Sequence, residues 1–335
     1  MKTLNQLSDK KISGFLSLLL IGLFYFSLSL GETHVDAIKG IIDFLHGTIS
    51  VEAMVVGDIR LPRSLLAILV GFALGMSGAA LQGVLRNPLA DPSLVGASQG
   101  AALGAAYVFY YGGLGFLGIY ALTVAGLMGA GVALMLMLIL AGNAQVYKII
   151  LAGLAISTIA GALLATALNF APNPYAMQEL VFWLMGSVSN KGLDQVAAVL
   201  PFIVAGCVIL GFQARGIYGL SLGEETAMSL GFNVVRITRR VILGCALVVG
   251  ACVSVAGTIG FVGLIVPHLL RPFVGNRPDR LLIPSALLGS CLVLAADMLV
   301  RLLPLGRELK LGVLTSIIGA PFLIVLVWKE SKKWR

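Results

Sequence analysis

The sequence predicts an all-α, polytopic membrane protein with about ten transmembrane helices, and three observations lead to this fold class. Of the 335 residues, 59% are hydrophobic and only 11% are charged, whereas soluble domains carry about 25% charged residues. The apolar residues are gathered in runs of about twenty, the length at which a helix crosses a bilayer. Lysine and arginine are concentrated in the two tails and a few loops, as in the cytoplasmic segments of membrane proteins.

We predict ten spans along the chain. The first follows a short basic tail and is long enough to remain as an uncleaved helix rather than a signal peptide. The eighth is too short to cross alone and is interrupted by Pro267, which is tolerated where protein rather than lipid surrounds the helix. The ten spans are 12–30, 64–84, 93–110, 115–140, 149–169, 196–213, 240–258, 260–270, 281–301 and 311–328.

The stretch from Arg60 to Ala106 is the most distinctive part of the chain. Its first apolar run contains Gly71, Gly75 and Gly78, a polar RNPLADP turn follows, and the second run is again rich in glycine and alanine. Glycine weakens a helix in water, but in a membrane small residues let helix backbones approach closely. We therefore expect two transmembrane helices packed tightly against each other and joined by a short, structured turn.

Charge predicts the orientation in the membrane. With ten spans, four basic segments fall on one side: the two tails, 214–240 and 271–280. The positive-inside rule makes that side the cytoplasm and places both termini there. The segment 31–59, with five carboxylates and one lysine, falls on the opposite side. The formal net charge of +8 is thus explained by topology, and we expect no nucleic-acid binding.

A faint internal repeat divides the chain, which we treat as one transmembrane domain over 1–335. A first repeat of about 60–170 and a second of about 239–328 flank cytoplasmic helices at about 216–238. At an offset of 179 residues, the matched pairs are Arg60 with Arg239, Gly71 with Gly250, Gly78 with Gly257 and Pro88 with Pro267. The second copy would enter from the opposite side, as in transporters with inverted repeats. Chance matching among 41 glycines is the alternative.

Several kinds of chemistry are missing from the sequence. The dipeptide Gly-Lys never occurs, so there is no phosphate-binding GxxxxGK[ST] loop. The three histidines, His34, His46 and His268, show no zinc-site spacing, and no catalytic triad is suggested. We expect no metal, no cofactor and no enzymatic activity in this chain.

Asp297 is the one carboxylate deep in an apolar run, LVLAADMLVRLL. An ionisable group at membrane depth is a functional hypothesis by default. The alternative, which we predict, is that Asp297 pairs with Arg301 one helical turn later. A proton-coupled transporter would need more carboxylates or histidines in its spans.

Two regions are suited to protein contacts. On the outer side, Arg60, Arg63 and Arg301 can capture carboxylates of a partner in bidentate fashion, and snorkelling to the membrane interface is an equal alternative. On the inner side, Gly223 and Gly231 bracket a short helix.

Glu224 and Glu225 occupy the first turn of that short helix, where the helix dipole favours acidic side chains. The apolar residues of this segment recur with helical spacing at Leu222, Ala227, Leu230 and Val234. We predict short helices docked on the cytoplasmic face, and a plain solvated loop is the alternative.

Six motifs along the chain resemble one family. They are GAALQGVLRNPLADPSLVGASQGA, ILAGLA, FWLMGS, LGEETAMSLG, GTIGFVGLIVPHLLR and LTSIIGAPF. In this order they resemble the FecCD family, the permease subunits of type II ABC importers for iron–siderophore complexes, haem and vitamin B12. One departure is ELKLG before the last helix, where the family often has ELPVG, so that Lys310 replaces a proline.

The resemblance implies a BtuC-like homodimer in the bacterial inner membrane, with the translocation path at the dimer interface. Two separate ATP-binding subunits would hydrolyse ATP, and a periplasmic substrate-binding protein would deliver the cargo. By the same resemblance, Arg60, Arg63 and Arg301 would grip acidic residues of the binding protein. The ATPase-coupling residues would be Gly223, Glu224, Glu225, Ala227, Leu230 and Gly231.

The resemblance also places a cytoplasmic gate at Val146 and Tyr147, and the span 149–169 would line the path. The expected cargo is a ferric siderophore, with haem or cobalamin as the alternatives. A secondary transporter that works without ATP is a weaker alternative, because its intramembrane carboxylates are missing. A non-transporting scaffold would not explain inverted repeats and broken helices.

Overall fold

The computed structural model describes residues 9–31, 33–92, 96–112, 114–142, 146–275, 277–303 and 308–331, and every regular element in these ranges is a helix. The α-helices are α1 (Asp9–Ser29), α2 (Ala37–Leu45), α3 (Val51–Ala53), α4 (Leu61–Leu85), α5 (Ala97–Tyr111), α6 (Ala121–Ala141), α7 (Val146–Asn169), α8 (Pro174–Leu184), α9 (Leu193–Phe212), α10 (Ala214–Ser221), α11 (Glu224–Ser229), α12 (Val234–Ala256), α13 (Val262–Val274), α14 (Pro278–Leu302) and α15 (Leu311–Ser331). A π-helix, Met54–Arg60, joins α3 to α4, and a 3₁₀ helix, Gly115–Tyr120, precedes α6.

Each of the ten predicted spans coincides with a helix, so the all-α membrane fold is confirmed. In the described part of the chain, seven helices are long and apolar enough to cross a membrane: α1, the continuous helix Val51–Leu85, α6, α7, α9, α12 and α14. The remaining predicted spans correspond to α5, α13 and the apolar stretch Leu311–Leu326 of α15, which are shorter.

Helix α13 behaves as the sequence predicts for the broken eighth span. It has only 13 residues, contains Pro267 and Pro272, and ends at Gly275 with a φ of 71°. Pro267 is buried, and the first turns of the helix lie against α4. Protein therefore surrounds the break, where the backbone groups released by a proline can be satisfied.

The glycines of α4 are sites of direct backbone contact. A Cβ atom would lie 2.3 Å from the carbonyl oxygen of Gly289 if placed on Gly71, and 2.1 Å from that of Ser285 if placed on Gly75. On Gly78 it would lie 1.9 Å from the carbonyl oxygen of Gly263. Only glycine fits at these positions, and α4 packs along α14 and α13 as a result.

The expectation that the two helices of the Arg60–Ala106 stretch pack against each other is wrong. Helix α4 packs mainly on α14, whereas α5 packs mainly on α6. A Cβ atom on Gly100 would lie 2.5 Å from the carbonyl oxygen of Gly129, and one on Gly104 would lie 2.1 Å from that of Ala125. Small residues predict close packing but do not specify the partner helix.

The proposed internal repeat stays a prediction. Gly71 and Gly250 both lie inside long buried helices, α4 and α12. Pro88, however, lies in the loop after α4, whereas its counterpart Pro267 lies inside α13.

Helices α2, α3 and α8 and the π-helix were not expected. Asp36 caps α2 by accepting hydrogen bonds from the backbone N–H groups of Ile38 and Lys39, at 2.9 and 3.1 Å. Ser50 caps α3 in the same way through the N–H of Ala53. These elements are too short for hydrophobic periodicity to reveal them.

Candidate interaction sites

The first site is a cluster of charges that we call the arginine face: Arg60, Arg63, Asp297, Arg301 and Glu308. Asp297 of α14 is 1% exposed and accepts hydrogen bonds from Arg63 Nε at 2.9 and 3.1 Å. Arg301 Nε donates to Asp297 Oδ2 at 2.9 Å. The predicted Asp297–Arg301 pair is confirmed, and Arg63 of α4 joins it. Arg63 also pairs with Glu308, which balances the two arginines with two carboxylates.

The same cluster fixes α1 to the rest of the bundle. Arg301 donates from Nη1 to the carbonyl oxygen of Ser27 at 2.9 Å and from Nη2 to its hydroxyl at 3.0 Å. That hydroxyl lies 2.6 Å from the hydroxyl of Ser64. Helices α1, α4 and α14 therefore share one hydrogen-bonded network.

Arg60 binds the backbone rather than a carboxylate. It is 4% exposed and donates to the carbonyl oxygens of Leu28 at 2.9 Å and Thr33 at 2.6 Å. The side chains of Arg63 and Arg301 are only 14% and 8% exposed. The three arginines expected to hold a partner are thus engaged within the chain. A role in docking stays a prediction.

The second site lies around α11 and matches the predicted helix. Gly223 precedes α11 with a φ of 109°, and Gly231 follows it with a φ of 84°. Positive φ favours glycine at both positions. Two short helices, α10 and α11, occupy this segment in place of a plain loop. Residues 234–238, expected to belong to it, form the start of the long helix α12.

The exposed surface of this segment contains three large apolar side chains, Leu222, Met228 and Leu230, which we call the α11 face. Leu222, Met228 and Leu230 are 47%, 57% and 59% exposed, whereas Ala227 is fully buried. Glu224 Oε1 lies 3.3 Å from Arg86 Nη2, at the end of α4. Apolar side chains are therefore exposed on and beside a short helix, which an ion pair joins to Arg86 at the end of α4.

Helix α7 leaves one side uncovered. Its exposed side chains include Leu151, Leu154, Ile159 and Leu163, each about half exposed (46–55%). The side chains of Val146 and Tyr147, expected to form the gate, lie outside the described part of the structure. In the ranges that are described, no group of three or more His, Cys, Asp or Glu side chains is placed to hold a metal ion.

Comparison with known proteins decides the family. A model of the FecCD transport family matches residues 18–329. The chain belongs to the FecCD transport family. It is therefore a permease subunit of a type II ABC importer.

Individual FecCD relatives cover nearly the same length. The chain is 36% identical over 334 residues to the hemin transport system permease protein HmuU of Yersinia pestis, with 98% of both chains covered. It is 39% identical over 276 residues to the cobalamin import system permease protein BtuC of Halobacterium salinarum, covering 82% of this chain and 73% of the relative.

The fold of the FecCD chain is also found among solved structures. An inward-facing metal-chelate type ABC transporter superimposes with a TM-score of 0.82 at 30% identity, covering 96% of this chain and all of that chain.

Several residues of these sites were not foreseen. Arg86 could have been predicted as a partner for Glu224 or Glu225, because it is a cation at the end of a glycine-rich helix and the acidic pair needs one. No local sequence pattern predicts the contacts of Ser27 and Glu308, because their partners are remote in sequence. Gln82, inside α4, donates to the carbonyl oxygens of Gly263 and Leu264 and accepts from Arg271 at 2.8 Å.

Proposed function

We propose that the chain is the permease of an ATP-driven importer that carries an iron chelate into the bacterial cytoplasm. The observation that carries this proposal is the α11 face, where the exposed side chains of Leu222, Met228 and Leu230 lie on and beside a short helix. Exposed apolar patches rimmed by polar groups are typical of protein interfaces. The partners at the α11 face would be two ATP-binding subunits, and ATP would be hydrolysed on those subunits rather than on the permease.

The arginine face is the proposed dock for a periplasmic substrate-binding protein. Of its three arginines, Arg63 is the most exposed, and it holds Glu308 at the surface, where Glu308 is 38% exposed. A carboxylate of the binding protein would compete with Glu308 for the Arg63 guanidinium. Arg60 and Arg301 would position Arg63 by anchoring α1 and α14.

A second copy of the chain would cover the open side of α7. The half-exposed apolar side chains there need a partner chain or lipid to cover them, and so do the exposed Ile317 and Ile318 on α15. We propose a homodimer with the path between the two copies, lined by α7 and closed near Val146 and Tyr147. The positive-inside rule supports cytoplasmic termini in a multi-pass inner-membrane protein.

Cargo identity is the finer part of the proposal. One relative is a hemin permease and another a cobalamin permease, at 36% and 39% identity. We keep a ferric siderophore as the proposed cargo, with haem and cobalamin as alternatives.

A secondary transporter is disfavoured by the charge cluster. Asp297, the one carboxylate deep in an apolar run, is already paired with Arg63 and Arg301.

The test is uptake by the reconstituted complex. The permease, its ATP-binding subunits and its binding protein would be placed in liposomes with a ferric siderophore, hemin or cobalamin outside. We expect uptake that requires ATP inside and the binding protein outside. Uptake of equal rate without ATP would overturn the proposal in favour of a secondary transporter.

A further inference from the structure

Two lysines lie on the same end of the molecule as the arginine face, and no carboxylate of the described residues lies within ion-pair distance of either. Lys191 lies in the loop before α9, and Lys310 is the residue before α15, two positions after Glu308. Within the described ranges neither forms an ion pair. Partial burial, and then the positive charge of Lys310, lower the pKa of Lys191 from its ordinary value. The positive charge of Lys310 thus acts on Lys191, and a bound anion would relieve this repulsion.

The backbone beneath the lysines is rigid. The N–H of Gly312 donates to the carbonyl oxygen of Gly186 at 3.2 Å, and the N–H of Ser187 donates to that of Ala256 at 2.7 Å. A Cβ atom on Gly312 would lie 2.4 Å from the carbonyl oxygens of Met185 and Thr258. Backbone contacts thus join the loop after α8, the end of α12 and the start of α15, which lowers the ordering cost of bringing both lysines onto one ligand.

An aromatic surface lies beside the two charges. The Lys310 ammonium stands 6.0 Å from the centre of the Phe182 ring, which is 43% exposed. Tyr175 and Phe182 on α8 and Met185, the residue after it, recur at helical spacing and are all exposed. Glu179 shares this region and is the one carboxylate of α8. A flat apolar body would rest on the rings while its acidic groups reach the lysines.

We propose that Lys191, Lys310 and Phe182 form a capture site for a carboxylate-bearing chelate at the outer mouth of the path, selecting anionic over uncharged cargo. The inference rests on the proposed importer function and names its substrate class. A chelate is favoured over an acidic segment of the binding protein because Lys191 is partly buried, and because the neighbouring ring suits a small planar ligand better than a protein surface.

The experiment uses the reconstituted complex and four probes. Hemin and ferric citrate carry carboxylates, whereas cyanocobalamin and ferrichrome are uncharged. We expect ATP-dependent uptake of an anionic probe that slows as KCl is raised and that falls about tenfold in the K191Q/K310Q variant, as removal of a steering field would produce. The charge-conserving K191R/K310R variant should keep the wild-type rate. E179Q, which removes the opposite charge nearby, should not lower it.

Each other outcome decides against the inference. Uptake of cyanocobalamin or ferrichrome but of neither anionic probe would overturn it while leaving the importer function intact. An unchanged uptake rate in K191Q/K310Q would also overturn it, provided that the variant is expressed at the wild-type level and elutes at the wild-type volume in size-exclusion chromatography. If K191Q/K310Q weakens capture of the ligand-free binding protein in parallel with uptake, the lysines serve docking instead. If the wild-type complex imports none of the four probes, the proposed function is overturned, and this inference with it.

Discussion

Arg63 of α4 and Asp297 of α14 are joined by two hydrogen bonds, although 234 positions separate them in the chain. Asp297 is buried, and Arg301 approaches it from the other side. Removing one partner of a buried ion pair leaves the remaining charge without compensation. Substituting either residue of this pair therefore tests the contact between α4 and α14.

The first prediction concerns the substitution D297N. It keeps the shape of the side chain but leaves Arg63 and Arg301 without their shared carboxylate. We expect a loss of about 3–5 kcal/mol in the free energy of unfolding, measured by denaturation in detergent. K39Q, which breaks the exposed Lys39–Glu52 pair at 2.8 Å, is the control and should leave the unfolding midpoint unchanged. A D297N protein as stable as wild type would contradict the assignment.

The second prediction concerns the backbone contact between α4 and α13. In G78A the new Cβ atom would meet the carbonyl oxygen of Gly263, at 1.9 Å in the unrelaxed structure. Forcing the helices apart should destabilise the protein by about 1–3 kcal/mol. G131A adds the same methyl group on α6, where nothing lies within 4 Å, and should be neutral. Equal thermal midpoints for the two variants would rule out the contact.

The third prediction tests the α11 face. L230D places a charge in the exposed apolar patch, and we expect binding of the ATP-binding subunits to weaken at least about tenfold, the effect of 1.4 kcal/mol. The measurement is co-purification in detergent. I49D is the matched control, since Ile49 is an apolar residue that is 93% exposed between α2 and α3. Should I49D reduce co-purification as much as L230D, the α11 face would not be the specific contact.

The fourth prediction is a pH dependence in the segment 37–53. The side-chain hydrogen bond from Lys39 lowers the pKa of Glu52 below its ordinary value of 4.5. A lowered pKa in the folded state means that the pair stabilises α2 above pH 4.5 and that this contribution disappears as the pH falls through the lowered pKa. The protection factors of the α2 amides, which correct exchange for its intrinsic pH dependence, should fall over that range in wild type. In E52Q the step should be missing, and its persistence would assign it to another group.

Local signals were sufficient for part of this structure. The ten spans follow from runs of apolar residues, and α11 follows from Gly223 and Gly231 on either side of six helical residues. The Asp297–Arg301 pair was predictable because the two residues are one turn apart on one helix.

The contacts between helices were not predictable in the same way. The glycines of α4 predict close packing, but whether α5 or α14 supplies the opposing backbone depends on the whole bundle. The bonds from Arg60 to the carbonyl oxygens of Leu28 and Thr33 depend on the turn after α1, which no motif marks. An arginine in an outer loop therefore looks available from sequence even when the fold has already used its donors.

Helix α4 carries Arg63 near one end and Arg86 just past the other, and glycines fasten the length between them to α13 and α14. The arginine face, through Arg63 and Asp297, and the α11 face, through Arg86 and Glu224, are therefore attached to opposite ends of one helix. In the most apolar stretch of Val51–Leu85, 78% of residues are buried, against 28% for α7. A partner that binds at either face thus acts on a helix that also contacts the other face.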